Sequence, residues 1–290
     1  MKDSIAIVIT AYHPDKSFLQ KCENFVNCGF GVVIFDNTPG GSEIFPKNAN
    51  LESMLLIQHG INYGLPIALN TAINKSAELG YEYALLLDQD TTPSKVLIEN
   101  LYKSYLLNTQ KKNSIVVMAP IFSNSSTLEH LDDEKCTDIK QVSCVPTAGM
   151  FMSIRDWMQI PHFSEDFFLD FVDFEWCWRI ATTGAKFYVN HNLKIEQKLG
   201  IGQRKFLGVN INIPVPFRHY FQFRDTLNIL FKSYVPLKSK LRFLGVLPLK
   251  IILYPFLLSN GSARFMWMIQ GIIDFFLKKK GVGSAKKITG

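Results

Sequence analysis

Short apolar segments rich in β-branched residues alternate with segments of helical spacing through the first 120 residues of the chain. The period is roughly 25 to 30 residues, which is typical of strands joined by crossover helices in a parallel sheet. The chain is therefore predicted to be an α/β protein with a mostly parallel sheet and helices on both faces. The predicted strands are 5–10, 31–37, 54–60, 84–90 and 115–120, and the predicted helices are 18–27, 65–79 and 94–107.

Polar side chains gather where the predicted strands end. In open α/β sheets, ligands bind in the crevice outside the carboxyl ends of the strands. Residues at these ends are therefore expected to converge on one crevice, and this convergence is the main argument for a functional site. They are Ala11, Tyr12, Asp36, Asn37, Asn62, Asp88 and Asp90.

The fourth predicted strand runs directly into two carboxylates in the sequence ALLLDQDTTP, residues 84–93. Asp88 and Asp90 suit a divalent cation that neutralises a diphosphate leaving group. A second hypothesis is a phosphatase, because the D-x-D-x-T spacing with Thr92 resembles haloacid dehalogenase-type phosphotransferases. Those enzymes carry the motif on their first strand and need a Gly-Asp pair, which is absent from this chain. A third interpretation is a helix cap or a solvated turn.

Composition excludes several other classes. The chain has 290 residues, 47% of them hydrophobic and 19% charged, which is typical of a globular α/β protein. The five cysteines form no C-x-x-C pair, so neither a disulfide framework nor a zinc site is predicted. Met1 leads almost directly into a strand, so no signal peptide and a cytosolic setting are expected. Basic and aromatic residues form no stripe on the α/β part, which argues against nucleic-acid binding.

The C-terminal segment is strongly apolar from 243 to 277 but is interrupted by Pro248, Pro255 and Gly261. Its longest clean run, 265–277, is shorter than the ~20 residues that span a bilayer. The lysines at 278–280 follow it, and this pattern favours an amphipathic helical segment on an anionic membrane surface. We predict domains at 1–235 and 236–290, the second membrane-associating; a packed subdomain or a dimer contact is the alternative, and the oligomeric state stays open.

Several motifs in order along the chain resemble glycosyltransferase family 2, and within it the bacterial rhamnosyltransferase-like branch. The resemblance implies a GT-A fold and inverting sugar transfer from a nucleotide sugar, with Mg²⁺ or Mn²⁺ as cofactor. It favours dTDP-L-rhamnose over a UDP-sugar, and a lipid-linked saccharide acceptor of O-antigen type at the cytoplasmic face of the inner membrane. The motifs are TAYHP (10–14), IFDN (34–37), NYGLPIALN (62–70), LLLDQDTTP (85–93), FLDFVDFEWCWR (168–179) and FRHYFQFRD (217–225).

The resemblance also implies roles at the donor end of the site. Asp36 would accept a hydrogen bond from the imide N–H of a uracil or thymine base. Asp88 would contact the donor and the metal, and Asp90 would bind the metal. Arg218 and Arg224 would lie near the diphosphate, unless they are surface or membrane charges. The residues that would line the nucleotide or hold the donor are Thr10, Ala11, Tyr12, Asn62 and Gly64.

Inversion in a single displacement needs a base that deprotonates the acceptor hydroxyl. Alignment on the family motif gives this role to Asp173, with Glu175 as the next candidate. Asp170, the third acid of the segment, is assigned to acceptor or sugar binding, and Gly149 is expected to let a sugar approach the backbone. The alternatives are that the acids pair with Arg179 and cap a helix, and that Gly149 is an ordinary strand glycine.

The chain departs from the family pattern at three places. Gln197 or Glu196 stands where a metal-ligating His is common, and His191 lies six residues before Gln197. Asp225 replaces a common Asn, and Ala148 replaces a common Ser. Two other classes remain: a sugar nucleotidyltransferase, disfavoured because no Gly-rich loop follows the first strand, and a silent binding module that would tolerate loss of the site carboxylates.

Overall fold

The structure is a computed structural model that describes residues 4–45, 53–109, 114–123, 138–196, 203–206, 209–212 and 214–285. Its strands are β1 Ile5–Ala11, β2 Gly31–Asp36, β3 Met54–Gln58, β4 Tyr83–Asp88, β5 Val116–Ser123, β6 Ile139–Val142, β7 Phe151–Ser153, β8 Lys186–Glu196, β9 Gln203–Phe206 and β10 Val209–Asn212. Its helices are α1 Lys16–Asn27, α2 Leu65–Glu78, α3 Lys95–Thr109, α4 Ile154–Trp157, α5 Val172–Ala181, α6 Arg218–Leu230, α7 Leu237–Leu257 and α8 Gly261–Phe276.

Eight strands form one sheet in the order β3-β2-β1-β4-β7-β5-β8-β6, and β9 and β10 form a separate antiparallel pair. The first four strands in this order are parallel, as are β5 and β8. The short β7 runs antiparallel between β4 and β5, and β6 runs antiparallel beside β8. The prediction of a mostly parallel α/β sheet with helices around it is confirmed.

The central strands are buried on both faces, which explains their near-continuous apolar sequence. Along β1, Val8 packs on the face covered by α2, whereas Ile7 and Ile9 pack on the face covered by α1 and α3. Helix α1 begins after Asp15, whose carboxylate accepts hydrogen bonds from the N–H groups of the first turn. The helices therefore seal a core on each side of the sheet.

Two element boundaries differ from those that the sequence indicates. The polar sequence of 121–141 predicts a loop, but β5 continues to Ser123 and β6 begins at Ile139, because both pair with the long strand β8. The sequence of 144–154 predicts a strand around Gly149, but strand β7 covers only Phe151–Ser153. Residues 124–137 lie outside the described part of the chain.

The helices after residue 217 form a second layer beside the sheet. Helix α8 crosses α6 closely, because Gly271 leaves room for the backbone carbonyl of Tyr220. Tyr220 donates a hydrogen bond to the buried carboxylate of Asp274 at 2.7 Å, and Arg264 bonds His219 at 2.8 Å. The predicted boundary at residue 235 thus falls between helices that pack on one another. In the described part of the chain, no helix has the length and apolar content needed to cross a bilayer.

Candidate active site

A cavity of about 1180 Å³ opens at the carboxyl ends of β1 and β4. The parallel register explains its position, because Thr10 on β1 lies opposite Asp88 on β4. Its other walls are the starts of α2, α5 and α6 and one face of α7. The predicted site residues that line it are Thr10, Ala11, Tyr12, Asn62, Gly64, Asp88, Asp90, Asp170, Asp173 and Arg218.

The turn after β4 carries the Asp88 and Asp90 carboxylates into this cavity. The Asp88 carbonyl accepts a hydrogen bond from the Thr91 N–H at 3.1 Å, which closes the turn. The Gln89 side chain accepts one from the Tyr12 N–H at 2.7 Å and so joins the turn to the end of β1. Burial, together with the neighbouring negative charge of Asp90, raises the pKa of Asp88 to about 6. The two carboxylates are thus held close enough to repel one another.

Lys21 also supports this turn, although it is not among the residues predicted from the sequence. Its amine, reaching from α1, donates hydrogen bonds to the backbone carbonyls of Gln89 at 2.5 Å and Thr91 at 3.0 Å. Its charge also lies close enough to Asp88 to oppose the rise of that carboxyl group's pKa. A helical lysine 67 positions before the motif carries no sequence signal for this contact, which only the packing of α1 beside β4 creates.

The carboxylate pair fits a divalent cation that shares its ligands with a bound diphosphate. Mg²⁺ is commonly held by one or two carboxylates, with phosphate oxygens and waters as its other ligands. Repulsion between Asp88 and Asp90 favours a cation at this place. In the described part of the chain, no group of three or more His, Cys, Asp or Glu side chains could hold a metal alone. His191 does not line the cavity, and Gln197 lies outside the described residues.

Asp170 and Asp173 enter the cavity at the start of α5. Phe171 adopts a left-handed conformation with φ 65° immediately before the helix, and this turns the chain so that both acids line the cavity. Asp170 pairs with Arg218, with its carboxylate 2.9 Å from a terminal guanidinium nitrogen. Burial raises the pKa of Asp173 to about 6, against a hydrogen bond from the Phe174 N–H. Asp173 is therefore a carboxylate poised to change protonation near neutral pH.

Two of the predicted residues point away from the cavity. Glu175 is 1% exposed and is held by Arg179 at 2.7 Å and by the Tyr234 hydroxyl at 2.5 Å, so its prediction as a catalytic residue is corrected to a structural ion pair. Arg224 is fully buried and bonds Asp225 at 2.7 Å and the Gly281 carbonyl at 2.5 Å. Its predicted contact with a diphosphate is corrected too, because it lies between α6 and the chain that follows α8.

Two further predicted residues lie beside the cavity without lining it. Asp36 is buried, and its carboxylate accepts hydrogen bonds from the N–H groups of Thr38 and Ser42 and from Gln58, so it holds the chain after β2. Gly149 adopts φ 78° and packs against Pro120. The group that lies close to the Gly149 backbone in the structure is thus the Pro120 side chain, and approach of a sugar there stays a prediction. Contact of Asp36 with a nucleobase also stays a prediction.

Gly64 begins α2 at the rim of the cavity with φ 82°. A Cβ atom there would lie 2.8 Å from the Phe168 carbonyl oxygen and 2.6 Å from its ring. We expect Gly64→Ala to lower the free energy of unfolding by about 2 to 4 kcal/mol, because it adds backbone strain to a steric clash. Urea unfolding checks this. Gly80→Ala is the matched control, since Gly80 has φ 84° and nothing lies within 4 Å of its added Cβ; equal losses in both would contradict the clash.

Helix α7 contributes cavity residues that the sequence analysis did not single out. Arg242, Phe243, Val246 and Lys250 line the cavity at helical spacing. The sequence of α7 is mainly apolar, which draws attention to membrane contact and away from a cavity. The spacing of three or four residues between these positions was the one sequence signal that they share a helix face. The cavity thus has a wall of carboxylates at the sheet and a wall with two cations on α7.

No protein-family model matches the chain. The dTDP-rhamnosyl transferase RfbF of Shigella flexneri is 27% identical over 260 residues, which cover 83% of this chain and 85% of that protein. The crystal structure of GalNAc-T7 with UDP, GalNAc and Mn²⁺ matches 94% of this chain with a TM-score of 0.50 and 10% identity. This chain spans 57% of that one. Residues 1–349 of S. aureus TarS match with a TM-score of 0.48 and 11% identity, covering 94% of this chain and 80% of that one.

Proposed function

We propose that this chain, a glycosyltransferase family 2-like protein with a GT-A fold, is an inverting rhamnosyltransferase that uses dTDP-L-rhamnose. One observation carries the mechanism: the Asp88–Asp90 pair and Asp173 line the same cavity, and the charge of Asp173 is close enough to raise the pKa of Asp88. The donor assignment is supported by the similarity to the rhamnosyl transferase of Shigella flexneri over most of both chains.

We propose that the nucleotide-sugar donor binds at the carboxyl ends of the strands. Thr10, Ala11, Tyr12 and Asn62 line the cavity where the nucleotide is proposed to lie. Asp88 and Asp90 would hold Mg²⁺ or Mn²⁺, and a bound cation would neutralise charge on the departing diphosphate.

Arg218 is placed to donate hydrogen bonds to phosphate oxygens. Its electrostatic interactions reach Asp170, Asp173 and Asp88, which places it between the two carboxylate groups of the cavity. A phosphate group there would bring the bond to be broken close to the proposed base.

Asp173 is the proposed base. Its carboxylate accepts the proton of the acceptor hydroxyl while that oxygen forms a bond to the anomeric carbon. The bond from this carbon to the phosphate oxygen breaks at the same time, and its electron pair leaves with the nucleoside diphosphate. The N-terminal end of α5 stabilises the carboxylate, and burial raises its proton affinity, so the base is ionised at neutral pH and still accepts a proton.

The pH profile of kcat/KM follows from the raised pKa of Asp173. This pKa is about 6, and Asp173 is proposed to act as a carboxylate. We expect kcat/KM to be level near pH 7.5 and to fall as the pH drops through about 6, with a slope of about one on a logarithmic plot. Initial rates between pH 5 and 8 check this, with circular dichroism as the control for folding. A level profile down to pH 5 would contradict the assignment of Asp173 as the base.

A lipid-linked acceptor and an anionic membrane surface are also proposed. The outer face of α7 is apolar and exposed, with Leu237 at 70% and Phe256 at 86% exposure. Between residues 237 and 280 the only acidic residue is Asp274, which is buried, whereas lysines 278–280 are exposed. An apolar face flanked by cations is complementary to anionic lipid headgroups.

We expect the double variant Leu249→Ser/Phe256→Ser to bind vesicles containing phosphatidylglycerol at least about tenfold more weakly than the wild type, because both apolar side chains are exposed and face solvent. Vesicle sedimentation measures this. Val96→Ser is the matched control, because Val96 is 60% exposed on α3, away from α7. Equal binding by the double variant and the control would contradict membrane contact through α7.

The function is tested by a donor panel. Purified protein with Mg²⁺ or Mn²⁺ and membrane lipids is given dTDP-rhamnose, UDP-glucose, UDP-galactose or UDP-GlcNAc, and release of free nucleoside diphosphate is followed. Release from dTDP-rhamnose is the expected result. Release only from a UDP-sugar would keep the mechanism and overturn the donor. Binding of nucleotide without release from any donor would favour a silent binding module.

A further inference from the structure

Two cations on α7 line the same cavity as the proposed donor residues. Arg242 and Lys250 both line it, two helical turns apart. The same helix turns its other face, which includes Leu241 and Ile252, to solvent. Helix α7 is thus a wall with a basic inner face and an apolar outer face.

The cavity holds acidic and basic side chains together. Arg218 pairs with Asp170 at 2.9 Å and is near enough to Asp88 to affect the pKa of that carboxyl group. Lys250 interacts electrostatically with Asp170. Lys250 and Arg242 are therefore cations in the same cavity as the proposed base, in addition to the Arg218 assigned to the donor.

The α7 cations form no ion pair. Within the described part of the chain, neither Lys250 nor Arg242 has a carboxylate oxygen within 4.0 Å. The Lys250 amine lies 5.8 Å from the centre of the Tyr254 ring, a contact that leaves its hydrogen-bond donors available to an anion. The nearby Asp170 is already engaged by Arg218 in two hydrogen bonds. Burial lowers the pKa of the Lys250 amine, which means that its charged form has lost favourable hydration. A bound anion would compensate for this lost hydration energy.

We propose that Lys250 and Arg242 form a phosphate-binding subsite for the acceptor, which takes the diphosphate that joins a lipid tail to the accepting sugar. This inference rests on the proposed function. A sugar bound between this subsite and Asp173 would present a hydroxyl to the base. A lipid tail would leave along the exposed apolar face of α7. The donor diphosphate is the other possible source of phosphate, but Arg218 and the Asp88–Asp90 pair already serve that end.

The test uses geranyl diphosphate as a water-soluble probe, titrated calorimetrically into the full-length protein that is saturated with dTDP. We expect Lys250→Gln and Arg242→Gln each to weaken its binding about tenfold or more, since each removes a charge-assisted phosphate contact. Lys250→Arg should keep most of the affinity. Lys238→Gln is the matched control, because Lys238 is an exposed cation of α7 that does not line the cavity.

Two results would overturn the subsite: no binding of geranyl diphosphate to the dTDP-saturated wild type, or unchanged affinity in Lys250→Gln. Unchanged dTDP affinity in the variants shows that they are folded. Failure of the proposed function would give a different pattern from failure of the subsite. No nucleotide sugar would be cleaved and dTDP would not bind, but binding of geranyl diphosphate would still depend on Lys250.

Discussion

Asp173→Asn is expected to lower kcat for sugar transfer by about 10²- to 10⁴-fold, because it removes the carboxylate proposed to take the proton of the acceptor hydroxyl. The amide keeps the size of the side chain and its hydrogen bond from the Phe174 N–H. The affinity for dTDP should therefore change little. Initial rates with dTDP-rhamnose and calorimetric binding of dTDP together separate loss of the base from loss of the donor site.

Glu175→Gln is the matched control for this experiment. Glu175 lies two residues further along α5 and pairs with Arg179, whose side chain is 21% exposed. The substitution should lower the free energy of unfolding by about 2 kcal/mol, since a partly buried guanidinium loses its counter-charge. Below the unfolding temperature kcat should stay within about threefold of the wild type, because the catalysis lost in Asp173→Asn comes from another side chain. Full activity in Asp173→Asn with a large loss of kcat in Glu175→Gln would exchange the two roles.

Asp90→Ala is the second change with a large expected effect. Removal of one of the two carboxylates should lower kcat/KM by about 10²-fold or more and raise the Mn²⁺ concentration needed for half-maximal rate.

Rates measured over a Mn²⁺ titration check both effects. Glu78→Gln is the control, since Glu78 is an exposed carboxylate on α2 that pairs with Lys75 and lies outside the cavity. An unchanged Mn²⁺ requirement in Asp90→Ala, with the wild-type rate, would remove this residue from the proposed site.

Helical geometry explains why two of the predicted site residues, Glu175 and Arg224, do not line the cavity. Asp173 and Glu175 are two positions apart on α5 and so point to different sides of the helix, one to the cavity and one to Arg179. Arg218 and Arg224 on α6 differ in the same way. Their spacing already indicated two faces, but which face meets the cavity depends on how α6 packs against α8.

The sequence by itself determined the α/β class and the edge of the sheet at which the cavity lies. The alternation of strands and helices specifies a mostly parallel sheet, and a parallel sheet brings the carboxyl ends of its strands together. Thr10 and Asp88 therefore meet whatever the later helices do. Only the tertiary structure decided the opposite wall, where Asp173, Arg218 and Lys250 come from three helices. Contacts between helices far apart in the chain depend on packing, and local sequence patterns do not record them.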